Sequence, residues 1–358
     1  MSKSNETTPN VPTLRFKRYT TEWTKINLSN YLCVSSKRNK DGRFSKEDVL
    51  SVSGELGIVN QIALLGRSYA GESVLPYHIV EKGDIVYTKS PLALYPYGII
   101  KTNRNKVGIV STLYAVYKTK DNANNRFIEH YFSLKSRINN YLKPIVRIGA
   151  KHDMKIGNNE VLENIVAFPD ISEQCEIADF LDLLDNRISV QNKIISKYET
   201  LIKGLSCDYF SKQPNHIAKL KDLIIKGKAG GTPSSTIAEY YNGNIPFLSI
   251  SDMTRQGKYV EFTEKHISEN GLANSSAWIV PSNSLILSMY ASVGLVCINK
   301  VPLATSQAMF SMVLKDCNML DYIYYYLNFF RETQIHRLLE TGTQSNINAD
   351  TVSYTHLR

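Results

Sequence analysis

The stretch "GKAGGTPSS", Gly227 to Ser235, sets a lysine and two glycines beside hydroxyls in the manner of a phosphate cradle. Such a cradle needs G-x-x-x-x-G-K-[ST] between a strand and a helix, so that backbone N–H groups ring the phosphate and the lysine neutralises it. Here Lys228 precedes the glycine pair, Pro233 removes a donor just after it, and no G-x-G-x-x-G occurs. The stretch reads instead as a turn leading to the alternating strand "IPFLSIS". Other chemistry fares no better. The histidines (His78, His130, His152, His216, His266, His336, His356) show no H-E-x-x-H spacing. Cys33, Cys175, Cys207, Cys297 and Cys317 form no C-x-x-C clip, which argues against zinc and against a disulfide framework and for free thiols in a reducing cytosol. An amino-methyltransferase would carry Asn/Asp-Pro-Pro-aromatic, and a common nuclease would pair an Asp with Glu-x-Lys; neither motif is present. Asp170 and Glu173 read as acids that suit a helix N-terminus. The expectation is a chain that is not itself a catalyst.

The element most plainly written in the sequence is a helix from Ser172 to Phe210. It holds no proline, and its only glycine is Gly204. Ile177, Leu181, Leu184, Ile188, Ile195, Tyr198, Ile202, Leu205 and Tyr209, with Gln191 filling one gap, recur in steps of four and three, a heptad seam. Ser172 sits as an N-cap would. At ~1.5 Å per residue the helix is about 57 Å long, a spacer whose seam needs a partner helix. The flanks repeat each other. Phe127, Ile128, Tyr131 and Phe132 align with Tyr322, Ile323, Tyr326 and Leu327, Gly149 with Gly342, Leu28 with Leu220, and "VEKGDIVYTKS" with "VPSNSLILSMY". Landmarks in one order at nearly one offset predict a duplicated domain. Each copy reads as short strands followed by a helix, and the 22 tyrosines as mostly half-buried sheet positions. "LILSMYASVGLVCI", Leu285 to Ile298, is too short for a membrane helix and reads as strand, turn, strand with Gly294 in the turn.

The net charge of +9 is uneven. Residues 1–170 carry 25 Lys+Arg against 15 Asp+Glu, residues 171–215 carry 5 against 7, and residues 216–358 carry 12 against 11. A basic surplus points to an acidic partner, most often nucleic acid.

Several stretches together carry a family resemblance. Gly230-Gly231-Thr232-Pro233, Glu239-Tyr240-Tyr241-Asn242-Gly243, Ile245-Pro246-Phe247-Leu248 and Ile250-Ser251-Asp252-Met253 resemble the opening of a target-recognition domain of the specificity (S) subunits of type I restriction-modification enzymes. "FPDISEQCEIADFLDLLDNRI", Phe168 to Ile188, is similar to that family's segment in which a Pro and a Glu-Gln pair lead into a helix, and "TGTQSNINA", Thr341 to Ala349, is similar to the end of a recognition domain. The resemblance covers Arg15 to about Asp350. It implies an α+β chain with two similar mixed α/β recognition domains joined by a long coiled-coil-type helix. The expected layout is a disordered N-terminus at 1–13, recognition domains at 14–170 and 213–358, and the spacer helix at 171–212. A second long helix, antiparallel to the first, is implied after the second domain, where this sequence reads "DTVSYTHLR"; the chain therefore reads as truncated.

The resemblance further implies a cytoplasmic, non-membrane protein that binds double-stranded DNA. Each repeat would read half of a split target in the major groove, and the helix would set the gap and dock partners. Those partners are two methyltransferase subunits carrying S-adenosylmethionine and motor-nuclease subunits using ATP and magnesium; no cofactor is expected on this chain. Candidate DNA contacts are loop cations: Lys101, Arg104, Lys106, Arg147 and Lys151 in the first domain, and Lys226, Lys228, Arg255 and Lys258 in the second. The residues alone also allow a coiled-coil adaptor that binds protein, or the recognition half of a fused restriction-methylation enzyme.

Overall fold

The computed structural model describes residues 11–92, 94–148, 154–212, 217–290, 292–335, 347, 352 and 356–357. It resolves into two compact units, Met1–Gln191 and Asn192–Arg358, whose boundary falls inside one continuous helix, Ile171–Phe210.

The first unit is built on a four-stranded antiparallel sheet. Its strands run, in spatial order, Leu32–Val34, Tyr114–Thr119, Ile85–Thr88 and Ile100–Thr102. The second unit repeats that order with Ile224–Ala229, Met309–Leu314, Leu285–Ser288 and Val296–Asn299, then adds Tyr259–Val260 in parallel on the far edge. In each unit a helix follows the last strand of the four in sequence, Asn125–Ser133 in one and Leu320–Thr333 in the other. Leu28 and Leu220, matched by the sequence repeat, are both fully buried just before the first strand. Gly149 and Gly342 lie outside the described residues.

Both central strands are buried along their whole length rather than on one face. The period-2 alternation sends side chains into two different cores. In the first unit Ile85, Tyr87, Ala115 and Tyr117 pack with Phe127, Ile128 and Phe132, while Val86 and Val116 pack with Leu50, Ile58, Val80 and Val110. In the second, Leu285, Leu287 and Met312 join Ile323, Tyr326 and Leu327, while Ile286, Cys297 and Met309 join Met253, Val260 and Val280. Many tyrosines are half-buried as expected, Tyr114 on its strand among them, but the two at the centre of the first sheet are not. Tyr87 and Tyr117 are core residues whose hydroxyls donate to the carbonyls of Tyr97 and Asn158, and burial raises both phenol pKa values. All five cysteines are free, but only Cys297 is fully buried, its thiol pushed up to about 12 by burial; Cys33 and Cys317 are exposed.

A buried asparagine closes each sheet in the same way. The Asn103 amide donates to the carbonyls of Val80, Glu81 and Lys106 at 3.4, 3.2 and 3.1 Å. Asn299 donates to Val280, Pro281 and Val301 at 3.4, 2.8 and 2.9 Å. Both side chains are wholly shielded from solvent. Two copies of one polar clamp, at the ends of equivalent strands, are independent support for the duplication.

The glycines of "GKAGGTPSS" serve packing. Lys226 and Lys228 lie on the edge strand, and the chain then passes so close to its neighbours that a Cβ on Gly230 would stand 2.0 Å from the Thr305 carbonyl oxygen and one on Gly231 2.6 Å from the Ala277 nitrogen. Only glycine fits such approaches. The strand-turn-strand at Leu285–Asn299 is present, with Gly294 at φ +79°.

Replacing Asn299 by Ala takes the acceptor from the buried Ser284 N–H and the side-chain donor from the Val301 carbonyl, while the Val280 and Pro281 carbonyls keep Leu303 N–H and Ser284 Oγ. It is expected to lower stability by about 3 kcal/mol, as is Asn103→Ala, each measured by urea unfolding. A loss under about 0.5 kcal/mol, the usual range for surface changes, would show that the clamp is not structural.

Candidate nucleic-acid interface and the helix seat

The long helix is seated in the first unit by its Glu-Gln pair. Glu173 is not a solvated first-turn acid. It is buried, and Arg15 grips it through two bonds of 2.7 and 2.6 Å, from Nε and Nη2, while Trp23 Nε1 donates at 3.4 Å. The Gln174 amide donates to the carbonyls of Pro169 and Asn122 and accepts from the backbone N–H of Asn124. Asn124 in turn caps the helix Asn125–Ser133 by accepting from Phe127 N–H. The helix starts at Ile171, with Gln174 N–H bonded to the Asp170 carbonyl, so Ser172 lies within the first turn and is not the N-cap expected from sequence.

About two turns further on, Asp182 is the hub of a charged cluster. Arg104 Nη1 and Arg126 Nη1 donate to its two oxygens at 2.7 and 2.9 Å, and His130 Nε2 lies 2.8 Å from Oδ1. Glu129 holds Arg104 at 2.9 Å and Lys101 at 3.8 Å. Beyond this cluster the seam emerges. Ile177 packs partly against the core and Leu181 is half-buried, but Leu184, Ile188, Ile195, Tyr198, Ile202, Leu205 and Tyr209 are exposed. Trp23, Tyr131, Leu134, Leu181 and Leu184 line an open groove of about 680 Å³ beside the helix. In the second unit the helix ends on Phe210, whose ring lies 5.3 to 5.6 Å from those of Tyr326, Tyr322 and Phe329.

The cations singled out from sequence separate into two kinds. Lys101 and Arg104 meet on Glu129, as above. Arg255 lies on the helix Ile250–Gln256, paired with Asp252 at 2.9 Å and with Glu264. Lys258 bonds Asp321 at 2.8 Å and sits against the rings of Tyr259, Tyr324 and Tyr325. Burial works against its charge, but Asp321 and the phenols outweigh burial and raise its pKa. These four are thus paired with carboxylates of the fold, the Arg104 and Arg255 side chains remaining 41% and 47% exposed. Sequence shows a cation but not the carboxylate that folding brings to it. Lys106, Arg147 and Lys228 are exposed and make no ion pair among the described residues; Lys226 is exposed and lies over the Trp278 ring at 4.1 Å. Arg147, Lys226 and Lys228 belong to strands rather than loops. Lys151 lies outside the described residues.

The sequence reading passed over a basic lobe in the first unit. Lys40, Arg43, Lys46 and Arg67 are exposed there and make no ion pair among the described residues. The run "KRNKDGRFSK" was the available signal.

A model of the type I restriction modification DNA specificity domain matches residues 76–200 and again 214–357. The chain belongs to this family. The specificity subunit of type I restriction enzyme MjaIX of Methanocaldococcus jannaschii is 34% identical over 110 residues, 30% of this chain and 25% of that protein. That of type I restriction enzyme HindI of Haemophilus influenzae is 30% identical over 140 residues, 38% of this chain and 30% of that protein. The chain thus aligns with less than a third of either relative's length. Among solved structures, the type I restriction-modification S subunit of M. genitalium superposes with a TM-score of 0.64 over 98% of this chain and 87% of that one at 13% identity, a likeness of fold. The match made twice accords with the repeated sheets and with the long helix between the two domains. Among the described residues no helix is long and apolar enough to cross a membrane.

Burial alone would raise the Asp182 carboxyl, but hydrogen bonds from Arg104, His130 and Arg126 outweigh it and hold its pKa below the ordinary 3.8. The cluster therefore stabilises fully above the unfolded-state value, about 3.9, and that contribution is lost as pH falls through the lower folded-state value. Asp182→Asn is expected to melt below the wild type at pH 7, with the gap narrowing below about pH 4. Thermal midpoints between neutral and strongly acid pH decide this; a gap independent of pH would exclude the carboxylate's charge as the source.

Proposed function

We propose that this chain is the specificity subunit of a type I restriction-modification complex, with each unit reading one half of a split duplex-DNA target. The observation that carries the reading is the specificity-domain match made twice, on two units with one sheet order and one asparagine clamp each. The long helix serves as spacer. Its exposed seam, with the groove beside it, is where methyltransferase subunits dock. Lys106, Arg147, Lys151, Lys226 and Lys228 contact DNA phosphates, which fix register and make affinity fall with salt. Arg104, Lys101, Arg255 and Lys258 support the surface from within the fold. The chain contributes no catalytic group. Adenine methylation belongs to two partner subunits with S-adenosylmethionine, and cleavage to motor-nuclease subunits with ATP and magnesium; the complex works in the cytoplasm.

Co-expression with the cognate methyltransferase subunit, followed by sequencing of methylated adenines in host DNA, is expected to reveal a split motif that is absent without this chain. A methyltransferase that assembles with the chain yet leaves no motif would favour a protein-binding adaptor over a reader of DNA. With the complex purified, Lys226→Ala/Lys228→Ala is expected to weaken all duplexes alike and to flatten the dependence of log affinity on log salt by roughly one to two charges.

A further inference from the structure

The basic lobe of the first unit is held as a fixed surface. Asn39, wholly buried, donates to the carbonyls of Phe44 and Val74 at 2.8 and 3.2 Å and accepts from Phe44 N–H at 3.0 Å, tying residues 39–44 to 74–77. The hairpin Leu50–Ser53/Gly57–Asn60 leads into a short helix, Gln61–Leu65, which Asn60 caps by accepting from Ile62 and Ala63 N–H. Gly66, at φ +76°, ends that helix and turns the chain outward. The next segment is pinned by Gln61, whose Oε1 accepts from Tyr69 N–H at 2.6 Å while its Nε2 donates to Ser51 Oγ at 3.1 Å.

On this support stands Arg67, its guanidinium 4.6 Å from the centre of the exposed Tyr69 ring. It makes no ion pair among the described residues, unlike Arg104 and Arg126 of the same unit. A guanidinium stacked on an aromatic ring keeps its donor edge clear and has lost part of its freedom before any ligand arrives. Two parallel N–H donors in one plane match the O6 and N7 acceptors of guanine in the major groove. The exposed Lys40, Arg43 and Lys46 stand on the neighbouring segment, which Asn60 Nδ2 ties to the short helix by donating to the Glu47 carbonyl; cations of this kind suit phosphates.

From this geometry we infer that Arg67, stacked on Tyr69, reads a guanine in the half-site bound by the first unit. The inference rests on the DNA-reading function proposed above. It makes Arg67 a specificity residue and its lysine neighbours positioning contacts.

The test uses the full chain with its methyltransferase subunit and reads methylated motifs in host DNA. Arg67→Ala is expected to relax one G·C position of one half-site, with discrimination there falling roughly ten- to a hundredfold, while the other half and the gap stay as in the wild type. Arg67→Lys, which keeps the charge but not the fork, is expected to relax the same position. Lys40→Ala is expected to lower occupancy evenly with no change of motif. A wild-type motif from Arg67→Ala, an even loss at all sequences, or full restoration by Lys would each overturn the inference. If the Ala variant melts well below the wild type, the Lys variant decides alone, its motif supporting or overturning the inference in the same terms. Absence of a split motif with the wild-type chain is a different result: it defeats the DNA-reading function itself, and this inference with it.

Discussion

A buried carboxylate at the root of the long helix holds the first unit to it. A 40-residue helix whose middle faces solvent gains little from packing along its length, so its direction is set where it is seated. The seat is polar. Glu173 is removed from water and matched by the planar fork of Arg15, and Gln174 fills both its donor and acceptor capacity on neighbouring backbone. Removing one member of such a pair leaves a charge uncompensated in the interior, which costs far more than the pair contributes. An apolar seat would hold the helix too, but with less definition of angle and register. Bidentate and amide geometry fix both.

The sheets show a second division of labour. Each is covered on both faces at its central strand, and exposed cations stand on what surrounds it: the edge strand with Lys226 and Lys228, and the lobe around Arg67. Most polar groups that remain inside are matched, although Ser35 Oγ and His78 Nδ1 are buried without a partner among the described residues. Asn103 and Asn299 take the carbonyls that the strand ends leave over, and Tyr87 and Tyr117 spend their hydroxyls on backbone. Rigid scaffolds with satisfied interiors let exposed loops carry cations without destabilising the whole.

Local pattern made the helix and the duplication legible, because both are periodic or repeated: the seam steps by four and three, and Leu28/Leu220 and Ile128/Ile323 prove equivalent in burial. Gly294 could be placed in a turn because positive φ favours glycine. What was not legible depended on partners distant in sequence. Glu173 is the first-turn acid that its position suggests, but its burial could not be read because its partner Arg15 lies 158 residues away. Arg104 resembled a free loop cation because Glu129 and Asp182 come from other elements. Alternation along "IVYT" could not say whether one face or two would be covered, and so the full burial of Tyr87 and Tyr117 could not be read. The family resemblance supplied what periodicity could not, a reason to treat the two halves as readers of one target.

The strand pairings of the first unit also order its folding in time. Leu32–Val34 pairs with Tyr114–Thr119, and Thr24–Asn27 pairs with Ile165–Phe168. The clamp on Glu173 then joins the start of the chain to the start of the helix. Non-local closures of this kind are slow, since chain entropy is lost before the contacts form. On a ribosome the N-terminal strands must wait for the residues just ahead of the helix. The seating of Glu173 on Arg15 is thus a late event, and the emergence of the helix is the latch that completes the first unit while the second is still being made.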